Sequence, residues 1–126
     1  MKLLVVDDSS VTRKVIKAAA DLLEMEVEEA QDGMEALDKL SQLHNEIDLI
    51  LLDWNMPGMG GYDAIVEIKS NDKYKNIPVM MVTTEGQQSS IVAAVQAGAD
   101  NYLVKPFTVE DLGIKITECL GKGGDF

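Results

Sequence analysis

The sequence is poor in the residues that staple or equip many other protein classes. It has one cysteine and one histidine among 126 residues. Cys119 alone cannot close an internal disulfide, which excludes a cross-linked secreted scaffold. Its spacing in the last helical pattern assigns it to core packing. His44 stands between Leu43 and Asn45, where a loop is expected, so proton transfer and metal ligation fall to other residue types. Positive charge is also scarce: 11 Lys and Arg against 22 Asp and Glu leave a net charge of −11. A surface this acidic repels nucleic acid and anionic membranes, and favours basic protein surfaces and divalent cations as partners. No apolar run approaches the length of a membrane span. The first strand pattern begins at Lys2 or Leu3 and leaves no room for a signal peptide, so the cytoplasm is the expected compartment.

What is present is a regular alternation. Hydrophobic residues make up 46% and charged residues 26%, a balance that suits one globular domain of this length. A strand is predicted over 2–7. Val11, Val15, Ala19 and Leu22 then recur at helical spacing behind Ser9 or Ser10 as N-cap. Glu26–Ala30 alternates in polarity, as an edge strand does, and Gln31-Asp32-Gly33 leads into a helix carrying Ala36, Leu37 and Leu40. The run 48–53 is apolar throughout its interior, which predicts a strand covered on both faces. A loop through Pro57-Gly58-Met59-Gly60-Gly61 precedes a helix with Ala64, Ile65 and Ile68. A strand over 78–83, a helix over 89–97 closed by Gly98, and a strand over 100–104 follow. Thr108 caps a last helix that turns Val109, Leu112, Ile116 and Leu120 inward. Five such units predict a doubly wound α/β fold with a five-stranded parallel sheet, five helices and right-handed crossovers. One domain is expected over 1–121, with a fraying tail over 122–126 and no effector domain.

Four of the strand patterns stop abruptly at chemistry. They end in Asp7-Asp8, Asp53, Thr83-Thr84 and Lys105. In an open parallel sheet, ligands bind beyond the carboxyl ends of the strands. If these strands are neighbours, three carboxylates, a hydroxyl and an ammonium meet in one pocket. Crowded carboxylates repel one another and raise at least one pKa unless a cation relieves them. Magnesium prefers oxygen ligands in octahedral geometry, so Asp7, Asp8 and Asp53 can supply one or two direct ligands and one contact through water. A carboxylate can also attack phosphorus to form an aspartyl-phosphate. Asp53 is the best-placed nucleophile because it ends the central apolar strand and precedes a loop. The three equatorial oxygens of the transition state would then meet the metal, the Lys105 ammonium, and the Thr83 hydroxyl with nearby amides. Taken singly, each Asp can be an ordinary turn or helix cap. Caps do not account for Thr83 and Lys105 at the ends of two further strands.

Here the motifs match a known family. Val5-Val6-Asp7-Asp8-Ser9, Leu52-Asp53-Trp54-Asn55-Met56-Pro57, Val82-Thr83-Thr84-Glu85 and Tyr102-Leu103-Val104-Lys105-Pro106-Phe107 make the chain resemble the receiver domain of bacterial response regulators over residues 1–121. Asp53-Trp54-Asn55-Met56-Pro57 is similar to the stand-alone chemotaxis branch. The resemblance implies a flavodoxin-like fold with strand order 2-1-3-4-5. It implies Asp53 as phosphoacceptor, Asp8 as a direct magnesium ligand, Asp7 acting through water, and the Asn55 carbonyl as a further ligand. It implies Thr83 and Lys105 as a phosphoryl-sensing pair, Tyr102 as a rotating switch, and Asn55 and Glu85 as residues that tune dephosphorylation. It also implies a cis Lys105–Pro106 bond. One position departs from the family: Gly60 stands where the loop often carries Asp or Asn.

The expected function is therefore two-component signalling, by a monomer. A histidine kinase would phosphorylate the chain, and the phosphorylated form would bind the flagellar motor switch or another target protein through the 89–97, 100–104 and 108–120 face. The protein is not expected to be a conventional enzyme, although it would catalyse its own phosphoryl transfer and dephosphorylation with magnesium. A phosphorelay intermediate or phosphate sink is the alternative within signalling. A magnesium-dependent phosphatase is disfavoured because Asn55 replaces the second Asp that would act as general acid and base. A flavin-binding protein is disfavoured because two carboxylates follow the first strand where a phosphate loop would be needed.

Overall fold

The computed structural model describes residues 1–125 apart from Pro57 and 85–87, and describes the backbone alone at Gln88, Ser90 and 121–125. Five strands alternate with five helices: β1 (Lys2–Val6), α1 (Ser10–Leu22), β2 (Glu26–Ala30), α2 (Gly33–Leu43), β3 (Leu49–Asp53), α3 (Gly61–Ser70), β4 (Val79–Thr84), α4 (Gln88–Ala97), β5 (Asn101–Lys105) and α5 (Val109–Asp125). The sheet has the order β2-β1-β3-β4-β5 and every pairing is parallel, as expected.

The two-residue period of the strands sorts the core into two layers. Leu4, Val6, Ile50, Leu52, Val79 and Met81 face α2, α3 and α4, packing with Ala36, Leu40, Ile65, Ile68 and Ala94. Leu3, Val5, Leu49, Leu51, Met80 and Val82 face α1 and α5, packing with Ile16, Ala19, Leu112, Ile116 and Cys119. Strand β3 is buried along its whole length, which is why its sequence shows no alternation. Cys119 lies in the second layer, in keeping with its assignment to the core.

Helix starts are set by short polar side chains. The Ser9 hydroxyl accepts from the Thr12 amide at 3.3 Å, and Asp32 Oδ1 accepts from the Glu35 amide at 2.8 Å. Thr108 and Asp111 cap α5 reciprocally, each side chain accepting from the other's amide. Helix α4 ends at Gly98, whose φ of +115° few other residues adopt.

Several boundaries differ from expectation by a residue, and two of these have a visible cause. Asp48 and Asp100 were assigned to β3 and β5 but precede them, because their carboxylates turn back onto neighbouring strands. Asp48 Oδ2 accepts from the Lys2 amide at 2.9 Å, and Asp100 Oδ2 accepts from the Val79 amide at 2.9 Å. Helix α5 continues past Gly121 to Asp125, over the stretch expected to fray. A glycine within a helix costs about 1 kcal/mol relative to alanine, which weakens these last turns without forbidding them.

Candidate functional site

The chain leaves β1 for β2 on one side and returns to β3 on the other, so a crevice opens beyond the carboxyl ends of β1 and β3. Register brings Val6 opposite Leu52, Asp53 opposite Val82, and Thr84 opposite Lys105. Asp7 and Asp8 after Val6, together with Asp53 and Lys105, converge on the crevice. Asp7, Asp8 and Asp53 each offer a carboxylate oxygen within 4.8 Å of the others. Asp7 and Asp53 are buried and Asp8 is exposed, so the cluster has a closed floor and an open side.

Lys105 ties the floor together. Its ammonium lies 3.2 Å from Asp7 Oδ2 and 3.6 Å from Asp53 Oδ2. One cation cannot neutralise three carboxylates. Burial, and then the charge of Asp7, push the Asp53 carboxyl up to about 6, against the partial relief that Lys105 gives. The rise anticipated for crowded carboxylates falls on the residue assigned as nucleophile.

Asp7 and Asp53 share a local device. Asp7 Oδ1 accepts from the Ser9 amide at 2.9 Å, and Asp53 Oδ1 accepts from the Asn55 amide at 3.3 Å. Each carboxylate is thus oriented by the main chain two residues on, as Asp side chains do in turns. The signal for this contact in the sequence is the short Asp7-Ser9 spacing, which suits an Asp side chain bonding the amide two residues on.

The first residue of the loop after β3, Trp54, is bonded on both sides. The Trp54 amide donates to the Val82 carbonyl at 3.0 Å, and the Gly61 amide donates to the Trp54 carbonyl at 3.0 Å. A Cβ on Gly61 would lie 2.6 Å from Trp54 Cα, so only glycine fits this approach. The Trp54 ring meets Tyr62 edge-on, with centroids 6.0 Å apart.

Thr83 is completely buried at the end of β4. Tyr102 pairs with Met81 in the register, so it lies on the same face of the sheet as Thr83, one strand over. Its side chain is 40% exposed, and the Lys115 ammonium stands 5.4 Å from the ring centroid. The Lys105–Pro106 bond is cis. Glu85 lies outside the described residues. Asn55 is exposed on the rim.

Three carboxylates at this spacing suit a hard divalent cation. Oxygens bound about 2.1 Å from magnesium lie up to about 4.2 Å apart, so small side-chain movements or one intervening water would complete the contact. An excess of negative charge and a raised Asp53 pKa fit such a group, which would remove the repulsion that burial intensifies.

Together, an acidic crevice at the switch point of a parallel five-stranded sheet and a lysine reaching it from the last strand define a receiver domain. The chain belongs to this family: the model described as "Response regulator receiver domain" matches residues 3–117. Among curated relatives, it is 43% identical over 124 residues to a chemotaxis protein CheY homolog of Campylobacter jejuni, covering 98% of this chain and 95% of that protein. It is 44% identical over 122 residues to chemotaxis protein CheY1 of Helicobacter pylori, covering 96% and 98%. Among solved structures, chemotaxis response regulator CheY4 of Vibrio cholerae superposes with a TM-score of 0.87 at 35% identity, covering 94% of this chain and 98% of that one.

Proposed function

We propose that this receiver domain is a phosphorylation switch for chemotaxis, with Asp53 as its phosphoacceptor. One observation carries the reading. Asp53 ends the central strand as a buried carboxylate, with Asp7 and Asp8 beside it and the Lys105 ammonium 3.6 Å away. Asp7, Asp8, Asp53 and the Asn55 carbonyl would hold magnesium, Asp7 through water. When bound, that ion supplies positive charge to the carboxylates and to the phosphoryl oxygens.

The phosphoryl donor is the phosphohistidine of a histidine kinase. An oxygen of Asp53 attacks phosphorus, a P–O bond forms as the P–N bond breaks, and the imidazole departs with the bonding pair. Lys105 moves from its carboxylate partners onto a phosphoryl oxygen, and the Thr83 hydroxyl donates to another. Both contacts exist only in the phosphorylated state, which is what allows phosphate to bias the conformation. Movement of Thr83 frees space on the face it shares with Tyr102, and the Tyr102 ring turns inward from its place beside Lys115.

The surface changed by this rotation is apolar. Val92 and Val95 on α4, Tyr102 on β5 and Ile114 on α5 are all exposed. This face would bind the target, the flagellar motor switch, in the cytoplasm. Moving a population from 1:99 to 99:1 needs roughly 5.5 kcal/mol of differential binding. Two charge-assisted hydrogen bonds supply about 1.5–3 kcal/mol each, so target binding completes the shift. Asn55 and Glu85 would set the lifetime of the phosphorylated state by orienting the attacking water.

Acetyl phosphate with magnesium tests the reading. Intact mass should show one added phosphoryl group, lost in Asp53→Asn. Addition to Asp53→Asn at the wild-type rate would refute it.

A further inference from the structure

We propose that Arg13 is a positioning residue for the acidic site: it fixes the Asp7–Asp8 peptide so that the two side chains converge on the bound cation. The inference rests on the reading of this crevice as a magnesium site.

Arg13 lies in the first turns of α1, where a basic side chain would ordinarily extend into solvent. Its neighbour Lys14 does so. Arg13 instead is 14% exposed and makes two directed bonds across three elements. Its Nη1 donates to the Asp7 carbonyl at 2.7 Å, and its Nε donates to Glu29 Oε1 on β2 at 2.9 Å. Glu29 pairs with Val5 in the sheet register, so it sits beside the end of β1 and aims the guanidinium at the carbonyl just beyond.

The effect is clearest at Asp7, which is held at four points. Its amide donates to the Ala30 carbonyl at 3.1 Å, its Oδ1 accepts from the Ser9 amide, its Oδ2 meets Lys105, and its carbonyl accepts from Arg13. The first three hold the Asp7 amide and carboxylate. Among the described residues, it is the Arg13 bond that holds the carbonyl, which belongs to the peptide that leads into Asp8. That peptide plane decides where the exposed Asp8 side chain points. A planar guanidinium with separate donors can satisfy Glu29 and the carbonyl together, and a lysine ammonium at the end of a flexible stem does so poorly.

Charge and position predict opposite outcomes, which makes the proposal testable. Removing a cation near a dication site strengthens metal binding if only long-range charge matters. Removing a residue that orients ligands weakens it, by about ten-fold for groups that hold ligating side chains in place.

Magnesium affinity of the full chain should therefore be measured by isothermal titration calorimetry for wild type, Arg13→Gln, Arg13→Lys, Glu29→Gln and Lys14→Gln. Arg13→Gln should weaken binding about ten-fold, and Arg13→Lys should recover only part of the loss. Glu29→Gln should also weaken binding, and since loss of a negative charge alone predicts the same direction, the Arg13 variants are the discriminating ones. Lys14→Gln, which removes the adjacent exposed cation, should leave binding unchanged or slightly tighter. Unchanged or tighter binding in folded Arg13→Gln overturns the proposal. If that variant does not fold, wild-type affinity in both Arg13→Lys and Glu29→Gln overturns it. A wild type that fails to bind magnesium would instead refute the metal site itself.

Discussion

Asp7 and Tyr102 are held in opposite ways. Asp7 is buried and bonded at its amide, its carbonyl and both carboxylate oxygens. Tyr102 is on the edge strand, 40% exposed, with the Lys115 ammonium over its ring. The first arrangement has one solution. The second, under the proposed function, would have an alternative close in energy, because a cation above an exposed aromatic ring is worth only about 0.5–1 kcal/mol. Under the same reading, the crevice would receive a charged ligand with small side-chain shifts around a fixed main chain, and the distant face would change when it does. A site that was loose and a face that was rigid would bind phosphate without reporting it.

Breaking the connection between the two regions should have the largest effect. Lys105→Ala removes a contact proposed to exist only in the phosphorylated state, worth about 1.5–3 kcal/mol. Magnesium affinity should hold or rise as the local ammonium is lost. The shift of β5 signals on adding beryllofluoride, followed by NMR, should largely disappear. A full wild-type shift in this variant would separate Lys105 from the switch.

The rigid end can be probed through its own repulsion. The Asp53 carboxyl titrates at about 6, above its ordinary 3.8. A raised folded-state pKa contributes stability that is complete below about pH 3.8 and is lost as pH rises through about 6. Metal-free protein should therefore lose stability across this window, before other groups are considered. Asp53→Asn should be more stable than wild type at pH 7.5 by about 1–2 kcal/mol after allowance for solvent screening, and the gap should close towards pH 4. Urea unfolding with a chelator measures both. An equal gap at both pH values would mean that the charge of Asp53 is not the source of strain.

At the adaptable end, Lys115→Gln should release Tyr102. The loss of about 0.5–1 kcal/mol would raise the inward population by up to about five-fold without phosphate. Tyr102 ring signals in NMR should move towards their beryllofluoride positions. Identical spectra would show that Lys115 does not bias the ring.

The smallest change concerns the loop between β3 and α3, beside the crevice. Gly60 is the N-cap of α3, and its side-chain position is open apart from the Trp54 carbonyl 3.9 Å away. Gly60→Asn should add a few tenths of a kcal/mol by capping α3, visible as a slightly higher Tm. A lower Tm would indicate that this loop needs the freedom of glycine.

The comparison also explains what was legible in the sequence. Asp7, Asp8, Asp53, Thr83 and Lys105 were visible because each interrupts an apolar strand, and a parallel sheet gathers such ends on one side. Arg13 was not visible. Its role depends on β2 lying in register with β1, which no local pattern encodes, and on a surface helix it resembles any other basic residue. The outward position of Tyr102 was also hidden, since the ammonium that stands beside its ring comes from Lys115 on another element. The order β2-β1-β3-β4-β5 came from the family resemblance, because five equivalent βα units admit more than one arrangement.

Trp54 gives the molecule a built-in optical gauge. It is the chain's one tryptophan, and its main chain is bonded on both sides, by its amide to Val82 and by its carbonyl to Gly61. With its own main chain bonded and the indole set against Tyr62, a change in emission should report the surroundings of the ring beside Asp53. Under the proposed function, metal and phosphoryl occupancy should therefore be readable optically in the native protein, with no label attached to the surface proposed to move.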